Sequence, residues 1–293
     1  MSQDCKSCAQ NPSDASRDML THFVVNSLRN IQMEHKRTYG NVVVACDHRS
    51  WRYDVFPQYK AARKLKRQND DSGIDWDFVS KTRISIQEQL QTHFPYSVIS
   101  TDGAEADDII GALVKHTAED SDGEENMFGE VEPDKVLIVS SDKDNYQLHR
   151  FKHVKQYSPL AKKLVKPESK PEHALIEKIV RGDAGDGICS IKCPDDWFLS
   201  TNRSRAPSIS AKYLQTFLDA KNPIDACLDE DERIRYRRNE QLISYEYTPE
   251  EIYAAIINEY TTQKNKSHSK MGLMNFFVNN RMNVLLSKIS DFY

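Results

Sequence analysis

The sequence predicts an α/β fold: a three-layer α/β/α unit with a mostly parallel sheet, followed by a smaller, mainly helical C-terminal domain. Three observations carry that expectation. Over about the first 160 residues, short β-branched runs alternate with helical stretches, the pattern of strand–helix–strand units. From Pro171 onward the chain reads as mainly helical. Acidic residues stand at the ends of apolar segments, at the carboxyl edge where such sheets bind ligands. The N-terminal domain is expected over residues 1–167 and the helical domain over 168–293.

The elements follow in order. Residues 1–13 read as irregular. Leu20, Phe23, Val24, Leu28 and Ile31 recur at helical spacing, so a helix is expected over 15–35 with Asp14 as its cap. Asn41–Cys46 is a β-branched apolar run, hence a buried strand that ends at Asp47. Tyr53–Gln68 is basic and polar with interleaved aromatics. A helix follows over 75–93, a strand over 96–100, and a helix over 105–117 whose first turn carries Glu-Ala-Asp-Asp. Residues 119–134 are acidic with Gly and Pro and read as a mobile surface loop. Strands are expected over 135–140 and 152–157. Helices are expected over 171–181, 208–218, 223–228, 249–261 and 271–289. No internal repeat is evident.

Composition narrows the function classes. The chain has 293 residues, 39% of them hydrophobic and 29% charged, enough for a sizeable core with a soluble surface. No run of 18 apolar residues occurs, so no membrane span is expected. The first residues lack the basic and apolar parts of a secretion signal, which predicts a cytoplasmic protein whose six cysteines are reduced thiols. Cys5 and Cys8, with Cys189 and Cys193, have spacings a zinc site could use, but neither pair has a strong flanking signature. The net charge of −4 conceals a division. Basic residues cluster at Lys60, Arg63, Lys64, Lys66 and Arg67; at Lys162, Lys163 and Lys166; at Arg203 and Arg205; and at Arg233, Arg235, Arg237 and Arg238.

The acids fall in four groups: Asp47; Glu105, Asp107 and Asp108; Asp142 and Asp144; Asp183 and Asp186. Carboxylates gathered in one place repel one another and resist desolvation unless cations are present. Oxygen-only ligands suit Mg²⁺ or Mn²⁺, and paired hard cations serve phosphoryl transfer or phosphodiester hydrolysis. Glu105 and Asp108, at i and i+3, are expected to share one helix face, with Asp107 off to one side. Asp142 and Asp144 face the same way if extended. An acidic centre with basic surroundings is what a metal-dependent nuclease needs.

The segments Glu105–Asp108 (EADD), Ser140–Asp144 (SSDKD) and Gly182–Asp186 (GDAGD) resemble the motifs of the 5′-nuclease (flap endonuclease) superfamily. Cys46-Asp47, Trp51-Arg52, Tyr59–Arg63, Trp76-Asp77, Gln147–His149 and Gln156–Pro159 extend the resemblance, toward the T-even phage ribonuclease H type. It implies a PIN-like nuclease domain with a helical arch at about residues 50–70. It implies ribonuclease H, 5′→3′ exonuclease and flap endonuclease activity, removing lagging-strand RNA primers by two-metal catalysis. Two Mg²⁺ ions, replaceable by Mn²⁺, are implied. Asp47, Glu105, Asp107 and Asp142 would serve the first and Asp144, Asp183 and Asp186 the second, with Asp108 nearby. Lys60 would contact the scissile phosphate, and Arg63 would steady the transition state or the 5′ strand. Tyr53, Phe56 and Tyr59 among the basic residues suit phosphate binding and stacking on unpaired bases. Tyr59, Lys64, Lys192, Arg203, Arg205 and Lys212 are the expected nucleic-acid contacts.

Three departures from the family pattern shape the alternatives. Members begin with a hydrophobic strand ending in a catalytic Asp, and residues 1–13 contain none. This gives a second reading, a catalytically impaired, structure-specific DNA-binding protein. Gly187 stands where the family usually has Asn. The glycine-rich helix–turn–helix that grips duplex DNA in many members is absent from Ser190–Ala211, so no bound potassium is implied. A PIN-type ribonuclease or a phosphatase is the third reading; Lys60, Arg63 and the helical second half argue against it. The expected partners are RNA–DNA hybrids and flapped or nicked duplex DNA, bound by a monomer. Leu273, Phe276 and Phe277 have the spacing of a sliding-clamp motif, with Lys270 in the Gln position. A core helix face is the leading expectation there. Docking to a sliding clamp or single-strand-binding protein is the alternative.

Overall fold

Helix α1 (Pro12–Tyr39) outruns its expected span and stops at Gly40, whose φ of +78° ends a helix without the penalty a Cβ would bring. The structure, a computed structural model, describes residues 12–69, 72–119, 133–200 and 206–293. Most of the acidic 119–134 stretch, Cys5 and Cys8, and Arg203 and Arg205 lie outside the described residues. The chain forms two compact units: Met1–Val44 with Asp75–Val98 and Tyr260–Tyr293, and Ala45–Ile74 with Ile99–Glu259.

After α1 come strand β1 (Val43–Ala45), helices α2 (Arg52–Val55), α3 (Ala61–Gln68) and α4 (Trp76–His93), strand β2 (Ser97–Ile99) and helix α5 (Ala106–Glu119). Strands β3 (Val136–Val139) and β4 (Val154–Ser158) flank a 3₁₀ segment, Lys143–Arg150, and β5 (Lys163–Leu164) follows. Strands β1 and β2 pair in one sheet. In the other, β4 is central: β3 runs parallel to it, with Val136 opposite Val154 and Val139 opposite Tyr157, and β5 runs antiparallel. Strand β5 was not expected; it falls in the basic stretch Lys162–Lys166, where Lys162 turns the chain at a φ of +51°.

The second half is helical: α6 (Pro171–Arg181), α7 (Ala211–Asp219), α8 (Glu230–Ile243), α9 (Glu250–Lys264), α10 (Lys270–Asn279) and α11 (Asn283–Leu286). The helix expected over 271–289 is broken between α10 and α11, where Arg281 takes a φ of +56° that no α-helix accommodates. Helix α8 was not expected. Its buried face includes Glu232 and Asn239 beside Tyr236, Leu242 and Ile243, so hydrophobic spacing conceals it. Tertiary bonds make that face stable. Asn239 Nδ2 donates to the carbonyls of Ile179 and Cys189, both at 2.8 Å, and Glu232 accepts from Tyr213 Oη and the Leu228 amide.

In the first unit, α4 and α10 contribute to an aromatic core. Phe94 sits 5.3 Å from Phe276 and 5.7 Å from Phe292, in edge-to-face geometry. Leu273, Phe276 and Phe277 are all buried there. That overturns the docking alternative for these side chains: they fill the core and do not face a clamp or a single-strand-binding protein.

In the second unit, Val114, Ile138, Leu148 and Val154 pack α5 onto β3, β4 and the 3₁₀ segment. A larger cluster runs through Phe56, Tyr59, Ile179, Val180, Phe217 and Tyr236 and fixes the α2–α3 link against α6, α7 and α8. These two clusters bring the acidic turns together.

Candidate metal centre and active site

Each acidic group is fixed by local backbone structure. Asp47 leaves β1, and its Oδ1 accepts from the Ala106 amide at 2.9 Å, capping α5. Asp142 follows β3 and caps the 3₁₀ segment, accepting from the Asp144 amide at 3.0 Å. Gln156 of β4 braces that turn by donating to the carbonyls of Ser140 and Asp142. Asp183 and Asp186 sit in a tight loop closed by reciprocal Asp183–Ile188 backbone bonds, both 2.8 Å. Gly182 opens that loop with φ +74°, and a Cβ there would lie 2.3 Å from the Ile188 carbonyl oxygen, so only glycine fits.

Asp107, Asp142 and Asp144 converge. One ligand oxygen from each lies within 4.8 Å of the others, a grouping that could hold a metal ion. Burial, and then the nearby carboxylates of Asp142, Asp144, Asp47 and Asp108, push the Asp107 carboxyl up to about 7. The Tyr245 hydroxyl is buried without a hydrogen-bond partner, and Asp107, Asp144 and Asp142 are among its main charged neighbours. Three clustered oxygen donors, a carboxyl whose ionisation is opposed by burial and by its neighbours, and an orphaned phenol fit a hard divalent cation.

Asp108, Glu105, Asp186 and Asp183 have cationic partners, and within the trio Asp144 has one as well. Asp108 is fully buried and receives Arg52 on both oxygens, each at 2.8 Å. It also accepts the Glu105 amide at 2.9 Å. This corrects the expectation for Asp108, which is an internal anchor with no free oxygen for a metal. Asp107, expected to serve the first metal, joins the cluster, and Glu105 is not part of that group. Glu105 accepts from Tyr59 Oη at 2.7 Å and Arg52 Nη1 at 3.3 Å, and pairs with the Lys60 ammonium. Asp186 accepts from Arg63 Nη2 at 2.8 Å, with Tyr59 Oη 2.9 Å and Lys60 Nζ 3.7 Å away; the single Tyr59 proton serves one of the two carboxylates at a time. Lys178 pairs with both Asp144 and Asp183, the latter at 2.8 Å. Burial raises the Asp144 carboxyl, against the pull of Lys178. For Asp183, burial is outweighed by Lys178 and by the amides of Asp186 and Gly185, which hold its carboxyl below the usual range.

Lys60 takes the left-handed φ of +54°, rare for a side-chain-bearing residue, and its amide donates to the Asp186 carbonyl at 2.8 Å. The arch base and the Asp183–Asp186 loop are thus locked together. Gly187 also has φ +74°, and a Cβ there would approach Gln58 and Lys60, which accounts for glycine at this position. Tyr59 and Phe56 are 2% and 3% exposed. Neither can stack on a base, a correction to the expected role; Tyr59 instead bridges Glu105 and Asp186. Lys64 and Lys212 are exposed, and Lys192 Nζ lies 4.0 Å from the centre of the Tyr213 ring. The basic run on α8 is largely engaged within the protein: Arg235 with Asp231, Arg237 with Glu230 and Arg238 with Asp195. Sequence reasoning missed Lys178 and Tyr245 and quoted Arg52 only inside a motif. The one available signal was Lys178, placed five residues before Asp183 on the last turn of α6.

A carboxylate trio beyond the end of a parallel strand, beside arch-base cations paired with further carboxylates, is the arrangement of an α/β enzyme that handles phosphate esters. Residues 8–179 match the 5′–3′ exonuclease N-terminal, resolvase-like domain, and residues 169–292 match the C-terminal region of T4 RNase H. The chain is 31% identical over 280 residues to the ribonuclease H of Enterobacteria phage T4, spanning 94% of this chain and 87% of that protein. It is 31% identical over 138 residues to the flap endonuclease Xni of Shewanella oneidensis, 47% of this chain and 44% of the relative. Its fold is similar to that of a bacteriophage T5 flap endonuclease in a pseudo-enzyme–product complex with DNA and metal ions. There the TM-score is 0.58 at 16% identity, over 83% of this chain and 92% of that one. A T5 5′-exonuclease with bound zinc gives a TM-score of 0.57 at 16% identity, over 87% and 94%. The chain belongs to the 5′-nuclease family, in its exonuclease and flap-nuclease class.

Proposed function

We propose that this protein is a Mg²⁺-dependent ribonuclease H, 5′→3′ exonuclease and flap endonuclease that removes RNA primers during lagging-strand synthesis. The observation that carries the reading is the Asp107–Asp142–Asp144 oxygen cluster, in the same unit as the Lys60–Glu105 and Arg63–Asp186 pairs. The T5 relative bound to DNA and metal ions supports it.

Asp107, Asp142 and Asp144 would hold one cation, with Asp47 capping the helix that carries Asp107. Asp183 and Asp186, with Asp144, would serve a second. When bound, such ions supply charge neutralisation at phosphate oxygens and lower the pKa of a water. The chain's own cations do the rest. Lys60 and Arg63, which pair with Glu105 and Asp186 in this structure, would hold the scissile phosphate and the 5′ strand. Tyr59 keeps Glu105 and Asp186 aligned. Arg52 and Asp108 fix the start of α5. Lys64, Lys192 and Lys212, together with Arg203 and Arg205, would track the nucleic-acid backbone in a salt-dependent manner. A nuclease domain over 1–167 and a helical domain over 168–293 stand as sequence-defined regions, although the compact units cross that boundary, and the protein would act as a monomer.

The test is cleavage of a 5′-labelled flap and of an RNA–DNA hybrid with Mg²⁺ and with EDTA. The expected result is release of short products from the 5′ side in Mg²⁺ alone. Binding of branched DNA with no cleavage under any divalent ion would refute the proposal and favour a structure-specific binding protein.

A further inference from the structure

Lys178 has a position that none of the roles above uses. It lies on the last turn of α6, where the apolar residues Ile179 and Val180 point into the core and fix the helix. Its ammonium spans two acidic motifs, pairing with Asp144 after β3 and, at 2.8 Å, with Oδ2 of Asp183 in the Gly182–Gly187 loop. Asp144 is also a member of the oxygen cluster with Asp107 and Asp142. A single ammonium therefore bridges two carboxylates much as a divalent ion would. The three side chains are 22–26% exposed, so their mutual attraction is screened less than at an open surface.

Two cations cannot share that place without strong repulsion. We propose that Lys178 is a built-in counter-cation at the Asp144–Asp183 position: it holds the two carboxylates together in the metal-free protein and must be displaced for a second divalent ion to bind there. The inference rests on the metal-centre reading of the Asp107–Asp142–Asp144 cluster. It makes the two positions unequal. The first shares only Asp144 with Lys178, and Asp107 and Asp142 make no ion pair with that ammonium among the described residues; the second has both Asp144 and Asp183 held by it and is the more weakened of the two. A released Lys178 stays in a groove also lined by Lys143, Lys166 and Arg181, where a phosphate could receive it. Nucleic acid in the groove should therefore favour the displaced side chain and tighten the second ion.

The test uses the full chain in Mn²⁺ titrations followed by calorimetry and by the electron paramagnetic resonance of free Mn²⁺. Wild type is compared with Lys178→Met, similar in reach but uncharged, and with Lys178→Arg, which keeps the charge. The expected result is a second-ion affinity raised by roughly tenfold in Lys178→Met, the size of effect one neighbouring unit charge commonly has on an ionic equilibrium. The first ion, whose ligand set shares only Asp144 with Lys178, should tighten less than the second, and Lys178→Arg should stay close to wild type. Adding a single-stranded oligonucleotide should tighten the second ion in wild type and not in Lys178→Met. Should Lys178→Met fail to fold without metal, ¹³C-dimethyl-lysine spectra of the wild type supply the second readout. There, the Lys178 resonance should move more with the second equivalent of a diamagnetic ion, Mg²⁺, than with the first. A first ion that binds, followed by a second whose affinity is unchanged or lower in Lys178→Met, overturns the inference while leaving the metal centre intact. Absence of any bound ion in wild type and variants overturns the metal-centre reading, and the inference with it.

Discussion

Replacing Arg52 by Met removes the cation that neutralises the most deeply buried acid of the site. Asp108 is fully buried and Arg52 is 3% exposed. The guanidinium makes two 2.8 Å bonds to Asp108, another to the Leu242 carbonyl through Nε, and one of 3.3 Å to Glu105. The substitution leaves Asp108 ionised without its counter-charge, or forces it to bind a proton. Either outcome costs about 3–5 kcal/mol, the usual penalty for removing one partner of a buried pair. With a shift of roughly 2–4 °C per kcal/mol for a chain of this size class, the melting temperature should fall by roughly 6–20 °C. Calorimetry or circular dichroism on the metal-free protein reads this directly. The double variant Arg52→Met/Asp108→Leu should recover a large part of the loss, because it removes both desolvated charges. A loss below about 1 kcal/mol in the single variant, or no recovery in the double, would refute the reasoning.

Other predictions address the site from different directions. The folded-state value of Asp107, raised from 3.8 to about 7, means the folded protein binds that proton more tightly than the unfolded chain. Metal-free stability should therefore fall as pH rises from about 4 to 7, and metal affinity should climb over the upper part of that range. A melting temperature that rises over it without metal would contradict the assignment. Lys60→Ala should slow cleavage by roughly 100- to 1000-fold, the range seen when one charge-stabilising donor is removed, while changing flap-DNA affinity much less. Equal losses in both would place Lys60 in substrate binding alone. Gly182→Ala should destabilise by several kcal/mol, since its Cβ would meet the Ile188 carbonyl at 2.3 Å in a positive-φ conformation; chemical denaturation measures it.

How much of this was legible in the sequence depended on the range of the interaction. Helices α4, α5 and α6 carry their own signals: the Asp75 cap, the acidic first turn at Asp107 and Asp108, and Pro171 at the first helical position. The acidic groups were readable because each follows an apolar run. Which acids meet was not readable, because partnership is set by residues far away in the chain. Asp108 is claimed by Arg52, 56 positions earlier, and that diverts it from the cluster and leaves Asp107 there. Lys178 and Asp144 are 34 positions apart. Helix α8 hides its buried face in Glu232 and Asn239, whose bonds to Tyr213, Ile179 and Cys189 exist only in the folded chain. The aromatic residues of the α2–α3 segment look like a stacking surface in sequence, yet Phe56 and Tyr59 are core residues.

The central claim is that a carboxylate cluster at Asp107, Asp142 and Asp144 binds the metal that a 5′ nuclease needs. The most direct measurement is Mn²⁺ binding and 5′-flap cleavage by wild type and Asp142→Asn, side by side, with flap-DNA affinity measured in parallel. The claim predicts that Asp142→Asn keeps its fold and its DNA binding, loses the tighter Mn²⁺ site and loses cleavage. Unchanged metal affinity with normal cleavage in Asp142→Asn would contradict it.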